Sequence, residues 1–166
     1  MKQWQTRLES QQPQERAEAA WALAQLATEF PDAPAKMLAH DDPTVRYWAV
    51  QGLGRIVRAS PASETLKAAT RDTLKKTIAD PSPAVRVAAA EALGLAGDTK
   101  DALPVLLEAL GHPQDAVRIQ AVSALEKLGE TARPAEATLR AATGDSSEYV
   151  KRISTRTLTK LDATKK

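Results

Sequence analysis

One pattern recurs through this chain and leaves little freedom in how it can fold. A polar turn is followed by a valine, a basic residue, small residues and a leucine, and the stretch often ends at glycine. The pattern is clearest in DPSPAVRVAAAEALGLAG, from Asp80 to Gly97. It returns at Asp42 to Ile56 (DPTVRYWAVQGLGRI), His112 to Gly129 (HPQDAVRIQAVSALEKLG) and Asp145 to Leu161 (DSSEYVKRISTRTLTKL). A weaker copy, QERAEAAWALAQL, lies at Gln14 to Leu26. A unit this short cannot bury its own apolar side, so the copies must stack and share a core.

The copies align on Glu15, Val45, Val85, Val117 and Val150. The intervals between the four valines are 40, 32 and 33 residues, so the second unit carries an insertion. Four positions later come Ala19, Ala49, Ala89, Ala121 and Ser154, and eight positions later Leu23, Leu53, Leu93, Leu125 and Leu158. At 3.6 residues per turn these positions share one arc, which predicts a buried seam with small residues where neighbouring helices approach. Hydrophobic residues make up 43% of the chain but aromatics only 4%, so the apolar content is largely Ala, Leu and Val and suits helices better than a sheet.

Between the copies, the spacing predicts helices at Lys2–Ser10, with Trp4 and Leu8 on one side, and at Glu15–Glu29, broken by Pro31 and Pro34. Shorter or longer helices follow at Ala35–Ala39, Glu64–Ala79 with Ser63 as N-cap, Ala102–Leu110 and Arg133–Ala142. The expected fold is all-α, a single domain over residues 1–162 with units at about 2–29, 33–58, 63–97, 101–129 and 133–161. A polar tail occupies 163–166.

A basic residue follows each register position: Arg16, Arg46, Arg86, Arg118 and Lys151. Its helical angle puts it at the edge of the apolar arc, where a charge must snorkel or pair. Asp80 and Asp145 open the turns six residues before Arg86 and Lys151, and Asp42 or Asp41 can serve Arg46. We therefore expect structural Asp–Arg ties among Asp42, Arg46, Asp80, Arg86, Arg118, Asp145 and Lys151, each fixing a turn to its own or the adjoining helix. The alternative is an arginine row for anions.

The unit D-P-x-x-x-V-R-x-x-A-A-x-A-L-G, preceded by a shorter helix, resembles the HEAT repeat. The resemblance covers nearly the whole chain and is weakest in the first unit, where Glu15 replaces the valine. It implies a right-handed α-solenoid of about five helical hairpins, with the second helix of each pair lining a concave surface for other macromolecules. A narrower succession comprises VRYWAVQGL at 45–53, DPSPAVRVAAAEALG at 80–94, ALPVLLEALGHPQDAVRIQAVSALEKLGE at 102–130, ARPA at 132–135 and EYVKRI at 148–153. It resembles the HEAT-like region that follows the catalytic domain in some bacterial sulfatases. That implies an accessory domain rather than the enzyme, because Ser82-Pro83-Ala84-Val85-Arg86 has its proline in the wrong place for a formylglycine motif.

Little else in the chain suggests chemistry. Cysteine is absent, and no metal-ligand spacing or glycine-rich phosphate loop occurs, so we expect no cofactor, no metal and no catalytic residue. His40 and His112 stand where other units have Asp80 and Asp145, which makes them turn residues. Basic and acidic residues number 23 and 21, a balance that does not produce the field of a dedicated nucleic-acid binder. No apolar run is long enough to span a membrane, and the polar N-terminus does not read as a signal peptide. The expected location is therefore the cytoplasm if the chain is whole, or outside the cell if it belongs to an exported parent.

A ligand would be read where the repeats differ. Two positions after the register residue stand Ala17, Tyr47, Val87, Ile119 and Arg152, and six after stand Trp21, Gln51, Glu91, Ser123 and Arg156, all expected opposite the core. The partner-binding candidates are Trp21, Tyr47, Trp48, Gln51, Arg55, Glu91, Ile119, Arg152 and Arg156. The expected partner is a protein or the catalytic part of a parent polypeptide. Nucleic acid in a basic groove and a passive spacer are the alternatives.

Overall fold

Proline placed where a helix can tolerate it, followed by alanine and leucine, sets the start of most second helices. In the computed structural model, which describes residues 2–59 and 63–164, five helical hairpins follow one another. Their first and second helices are α1 (Lys2–Leu8) and α2 (Pro13–Gln25), α3 (Asp32–Met37) and α4 (Pro43–Arg58), and α5 (Glu64–Thr77) and α6 (Pro83–Leu95). The last two pairs are α7 (Thr99–Leu110) with α8 (Asp115–Leu128), and α9 (Glu136–Ala142) with α10 (Glu148–Ala163). No strand occurs among the described residues. Ser60 to Ala62 of the expected loop, and the last two residues of the expected tail, lie outside the described residues.

Several boundaries differ from the sequence expectation, such as α2 ending at Gln25 and not Glu29 and α7 beginning at Thr99 and not Ala102, and proline explains two others. α3 begins at Asp32 and takes Pro34 into its first turn, where a missing N–H removes no intrahelical bond. The helix expected from Arg133 instead starts as a 3-10 segment, Gly129–Ala135, and becomes α-helical at Glu136. Pro134 cannot donate to the carbonyl four residues back, and its ring disfavours α geometry just before it.

The seam is buried through every unit. Val45, Val85, Val117 and Val150 are nearly or wholly removed from solvent, as are Ala19, Ala49, Ala89, Ala121 and Ser154 and the leucines from Leu23 to Leu158. Each such leucine stabilises the fold by roughly 1.5–3 kcal/mol. Close approach is enforced at two glycines. A Cβ on Gly52 would stand 2.8 Å from the Pro34 ring, and one on Gly94 would stand 2.7 Å from Leu128. Consecutive second helices, α2, α4, α6, α8 and α10, pack directly on one another, whereas among the first helices only α7 and α9 make a substantial contact among the described residues. In a curved stack the more closely spaced layer lies inside, so the second helices form the inner face. At the end of the stack the side of α10 facing away from α8 is polar, and Thr155 and Thr159 satisfy their hydroxyls on the carbonyls of Lys151 and Thr155.

Polar turns repeat as regularly as the core. In each unit the residue six before the basic position caps the backbone N–H two residues on. Ser10 accepts from Gln12 at 3.1 Å, His40 from Asp42 at 2.9 Å, Asp80 from Ser82 at 2.8 Å, His112 from Gln114 at 3.2 Å and Asp145 from Ser147 at 2.7 Å. The arginine then donates back to its own turn: Arg16 to the Ser10 carbonyl, Arg46 to His40, Arg86 to Asp80 and Arg118 to His112, at 2.8–3.0 Å.

The same arginines reach forward to the next unit. Arg46 binds both oxygens of Asp80 at 2.8 and 3.0 Å, and Arg118 binds both of Asp145 at 2.9 and 3.0 Å. Arg16 binds Asp42 at 2.8 Å, so Asp42 serves the preceding unit and not Arg46. Arg86 lacks the forward carboxylate among the described residues, because His112 and Gln114 occupy the positions that Asp80 or Asp42 fill elsewhere. Lys151 pairs with Glu148 at 2.7 Å on its own helix.

These ties shift the acids. Burial works to raise the Asp80 carboxyl, but the Arg46 guanidinium and the Ser82 N–H outweigh it and hold Asp80 below the usual carboxylate range. Arg118 draws Asp145 down in the same way. Their stabilisation is therefore complete above the unfolded carboxylate value of about 4 and is lost as pH falls through the lower folded values.

Three outcomes follow for stability. Asp80→Asn keeps the turn cap but discharges the tie. It should cost about 2 kcal/mol in urea unfolding at neutral pH and flatten the acid limb of the stability profile, whereas His112→Asp should supply the missing partner of Arg86 and stabilise by about 1 kcal/mol. Ser154 buries its hydroxyl with no hydrogen-bond partner where the other units carry alanine. Ser154→Ala is expected to raise the unfolding free energy by about 1 kcal/mol, and an unchanged or lower midpoint would contradict that assignment.

Candidate functional site: the inner face of the second helices

Stacking exposes only part of each second helix, and that part is not the whole arc that the sequence spacing suggests. Val87 was expected opposite the core but is 1% exposed. Its position turns toward the next unit, where it lines a small gap together with Val105, Ala109 and Val117. Tyr47 and Ile119, its equivalents, are half-buried for the same reason, and Arg152, on the last described helix, is exposed. The position six after the register residue points inward. Trp21 there is 51% exposed, Gln51 and Glu91 are half-buried, and Arg156 is exposed.

The aromatic candidates do not form one patch. Tyr47 and Trp48 meet edge to face with ring centroids 5.5 Å apart. Trp48 is half-buried against the small cluster of Leu8, Ala19, Leu23 and Val45, so it is a packing residue between α2 and α4. Trp21 has no ring contact with either among the described residues.

Charges on this face are stitched from unit to unit. Lys127 of α8 donates to Glu91 of α6 at 2.7 Å, while Arg156 and Lys160 of α10 converge on Glu126 of α8 at 2.5 and 2.8 Å. The Arg156 bond, with Lys160 beside it, holds Glu126 below the usual glutamate range. Lys127, Glu126 and Lys160 were not singled out from the sequence. Their signal was the spacing, since 30 to 36 residues separate the partners, about one repeat length. Arg55 and Arg58 at the end of α4 are exposed and make no ion pair among the described residues. Arg152 lies over the Tyr149 ring at 5.3 Å, and these two help line an open groove of about 730 Å³ along α10.

The histidines are occupied by structure. With Nδ1 accepting the Asp42 N–H, His40 carries its proton on Nε2 and donates it to the Leu8 carbonyl at 3.1 Å. A second hollow of about 710 Å³ beside it is lined by Ser10, Arg16, His40 and Asp42, all engaged in the first tie and its turns. No group of three or more metal-ligating side chains occurs among the described residues. No helix among them is long and apolar enough to cross a membrane.

Comparisons with known proteins agree with this geometry. A family model described as HEAT repeats matches residues 1–74 and again 70–159. No curated protein matches the chain. Among solved structures, an engineered protein superposes with a TM-score of 0.62 at 20% identity, covering 96% of this chain and 78% of that one. A designed armadillo repeat protein in complex with the peptide (KR)4 gives 0.60 at 18% identity, covering 95% and 80%. The complex of CpcE and CpcF of phycocyanin lyase from a Nostoc species gives 0.64 at 20% identity, covering 96% of this chain and 64% of that one. At these identities the likeness is one of fold.

Tyr47 offers a readout of the inner-face wiring. Burial, and then the nearby Glu91 carboxylate, push its phenol above the ordinary value of about 10, while Lys127 pulls the other way. In an ultraviolet pH titration, Tyr47→Phe should remove the late-ionising component. Glu91→Gln should move it to lower pH and Lys127→Ala to higher pH.

Proposed function

This chain belongs to the HEAT-repeat family, and from that premise we propose that it is a non-catalytic interaction module whose inner face binds a partner protein. The observation that carries this reading is the inner face itself. The core and the forward ties account for the recurring pattern within the repeats, and the residues left over, Trp21, Gln51 and Arg55, differ from unit to unit on the one surface shared by all second helices. Surface that stability does not require is available for recognition. Glu91 and Arg156 are committed to partners in neighbouring units, so they serve as the frame of that surface.

Two of the structural neighbours, a designed repeat protein with a peptide and a two-protein complex, show the same architecture meeting another chain. The occupant here can be a separate protein or the catalytic part of a parent polypeptide. The likeness of segments between residues 45 and 153 to the region following some sulfatase domains favours the second for a chain of that origin. A nucleic acid is the weaker reading, because Glu91 and Glu126 stand in the middle of the surface.

The test is affinity capture from lysate of the source organism with the wild type, a Trp21→Ala, Arg55→Ala variant and a first-helix control, Lys76→Ala, Lys100→Ala. All four residues are exposed, so the fold should persist. A defined protein should be retained by the wild type and the control and weakened about tenfold or more by the inner-face variant. Equal retention by all three proteins, or none by any, would remove the proposal.

A further inference from the structure

An arginine stands at each joint between successive second helices. Arg16, Arg46 and Arg118 clamp an aspartate of the following turn, and at the joint between α6 and α8 the arginine has no such acid among the described residues. Arg86 is nevertheless held as its counterparts are. Its Nη1 donates to the carbonyls of Asp80 and Pro81 at 3.0 and 3.3 Å, as Arg46 Nη1 does to those of His40 and Asp41 and Arg118 Nη1 to those of His112 and Pro113. In Arg46 and Arg118 this posture turns Nε and Nη2 onto the two oxygens of an aspartate at 2.8–3.0 Å. In Arg86 the same two nitrogens meet no acceptor among the described residues.

The cause lies in the turn that faces Arg86. A histidine opens the second turn as well, at His40, but there Asp42, two residues on, supplies the acid for Arg16. After His112 the corresponding residue is Gln114, which is exposed and carries no charge. The acids around these turns do not close the fork. Asp80 has both oxygens on Arg46, and Asp115 accepts the Ala116 N–H. Glu108, exposed at the end of α7, lines a gap of about 20 Å³ with Arg86 and His112 but forms no ion pair among the described residues. That gap has room for about one water-sized group.

We propose that the Nε–Nη2 edge of Arg86 is a binding site for a carboxylate from outside the chain. Its two sources are a free carboxylate anion and an aspartate or glutamate of a partner protein, which present the same pair of oxygens. A planar guanidinium already fixed by two carbonyls loses little freedom on taking a carboxylate. Arg86 is half-buried between α6 and α8, so water screens the pair less than it screens one on an open surface. The site lies on the rim with the other ties, so it is independent of the inner-face reading. The neighbouring Glu108 carboxylate opposes a second negative charge and sets a limit on the affinity.

Nuclear magnetic resonance of the arginine Nε–Hε groups tests this site, with Arg86→Lys assigning the Arg86 signal. Sodium formate is titrated in exchange for sodium chloride at constant ionic strength. The Arg86 signal should shift and saturate with a midpoint of about 0.1 M or below, at least fivefold lower than any response of exposed Arg55. Arg46 and Arg118, already clamped, should not move. His112→Asp, or Gln114→Asp in imitation of the His40 turn, places a carboxylate of the chain in the fork and should abolish the formate response. Glu108→Gln should lower the midpoint about twofold or more. A short glycine–serine peptide carrying one aspartate, with its asparagine counterpart as control, separates the sources. A midpoint below that of formate assigns the site to a partner's side chain, and an equal or higher one assigns it to free carboxylates. Circular dichroism checks that each variant is folded.

Absence of a saturating Arg86 shift in formate, an equal shift on adding chloride, or a response that persists in both aspartate variants would overturn the proposal. If formate acts only on Glu108→Gln, Glu108 is itself the partner of Arg86 and the site is closed in the wild type. The lysate capture is unaffected by any of these results, so the two readings fail separately.

Discussion

The stack depends on an arginine that serves two turns at once. In Arg46 and Arg118 one nitrogen closes the turn that starts the arginine's own helix, while two others clamp the aspartate that starts the next second helix. Apolar seams attract without much direction, and a stack of alanine-rich helices held by them alone could slide or rotate. A bidentate guanidinium–carboxylate pair has a preferred geometry and so fixes the offset between units. The alanines at the fourth position and the glycines at Gly52 and Gly94 bring the helices near enough for that reach.

The third unit shows what happens when one component is exchanged. His112 also caps its turn, through Nδ1 at 3.2 Å against 2.8 Å for Asp80, but offers Arg86 no negative charge. Other contacts join α6 to α8 there: Gln120 donates to the Ala84 carbonyl at 3.0 Å and Lys127 to Glu91 at 2.7 Å. The turn-capping role and the unit-linking role of this position are thus separable. Histidine fulfils the first, and only a carboxylate fulfils both.

Placing the ties on the rim and the seam in the core leaves the inner face free of structural duty except for its stitched acids. Function on such a scaffold is a matter of which side chains occupy a few repeated positions, which is why the family alone says little about a ligand. In this chain those positions carry exposed Trp21 on α2 and neutralised glutamates on α6 and α8.

The repeat, the all-helical fold and the identity of the core positions were legible in the sequence, because helical periodicity is local and each valine, alanine and leucine recurs at a fixed offset. The turn roles of His40 and His112 were legible for the same reason, through their alignment with Asp80 and Asp145. Stacking decided the rest. Whether Val87 faces solvent or the next unit, whether Asp42 serves Arg46 or Arg16, and which lysine neutralises Glu91 depend on the rotation of one helix pair relative to another, which no local period encodes. Trp48 and Trp21 are the same residue type on successive second helices. One lies half-buried in a seam and the other half-exposed on the inner face, because the packing of neighbouring helices, and not the side chain's own chemistry, set the surface each one meets.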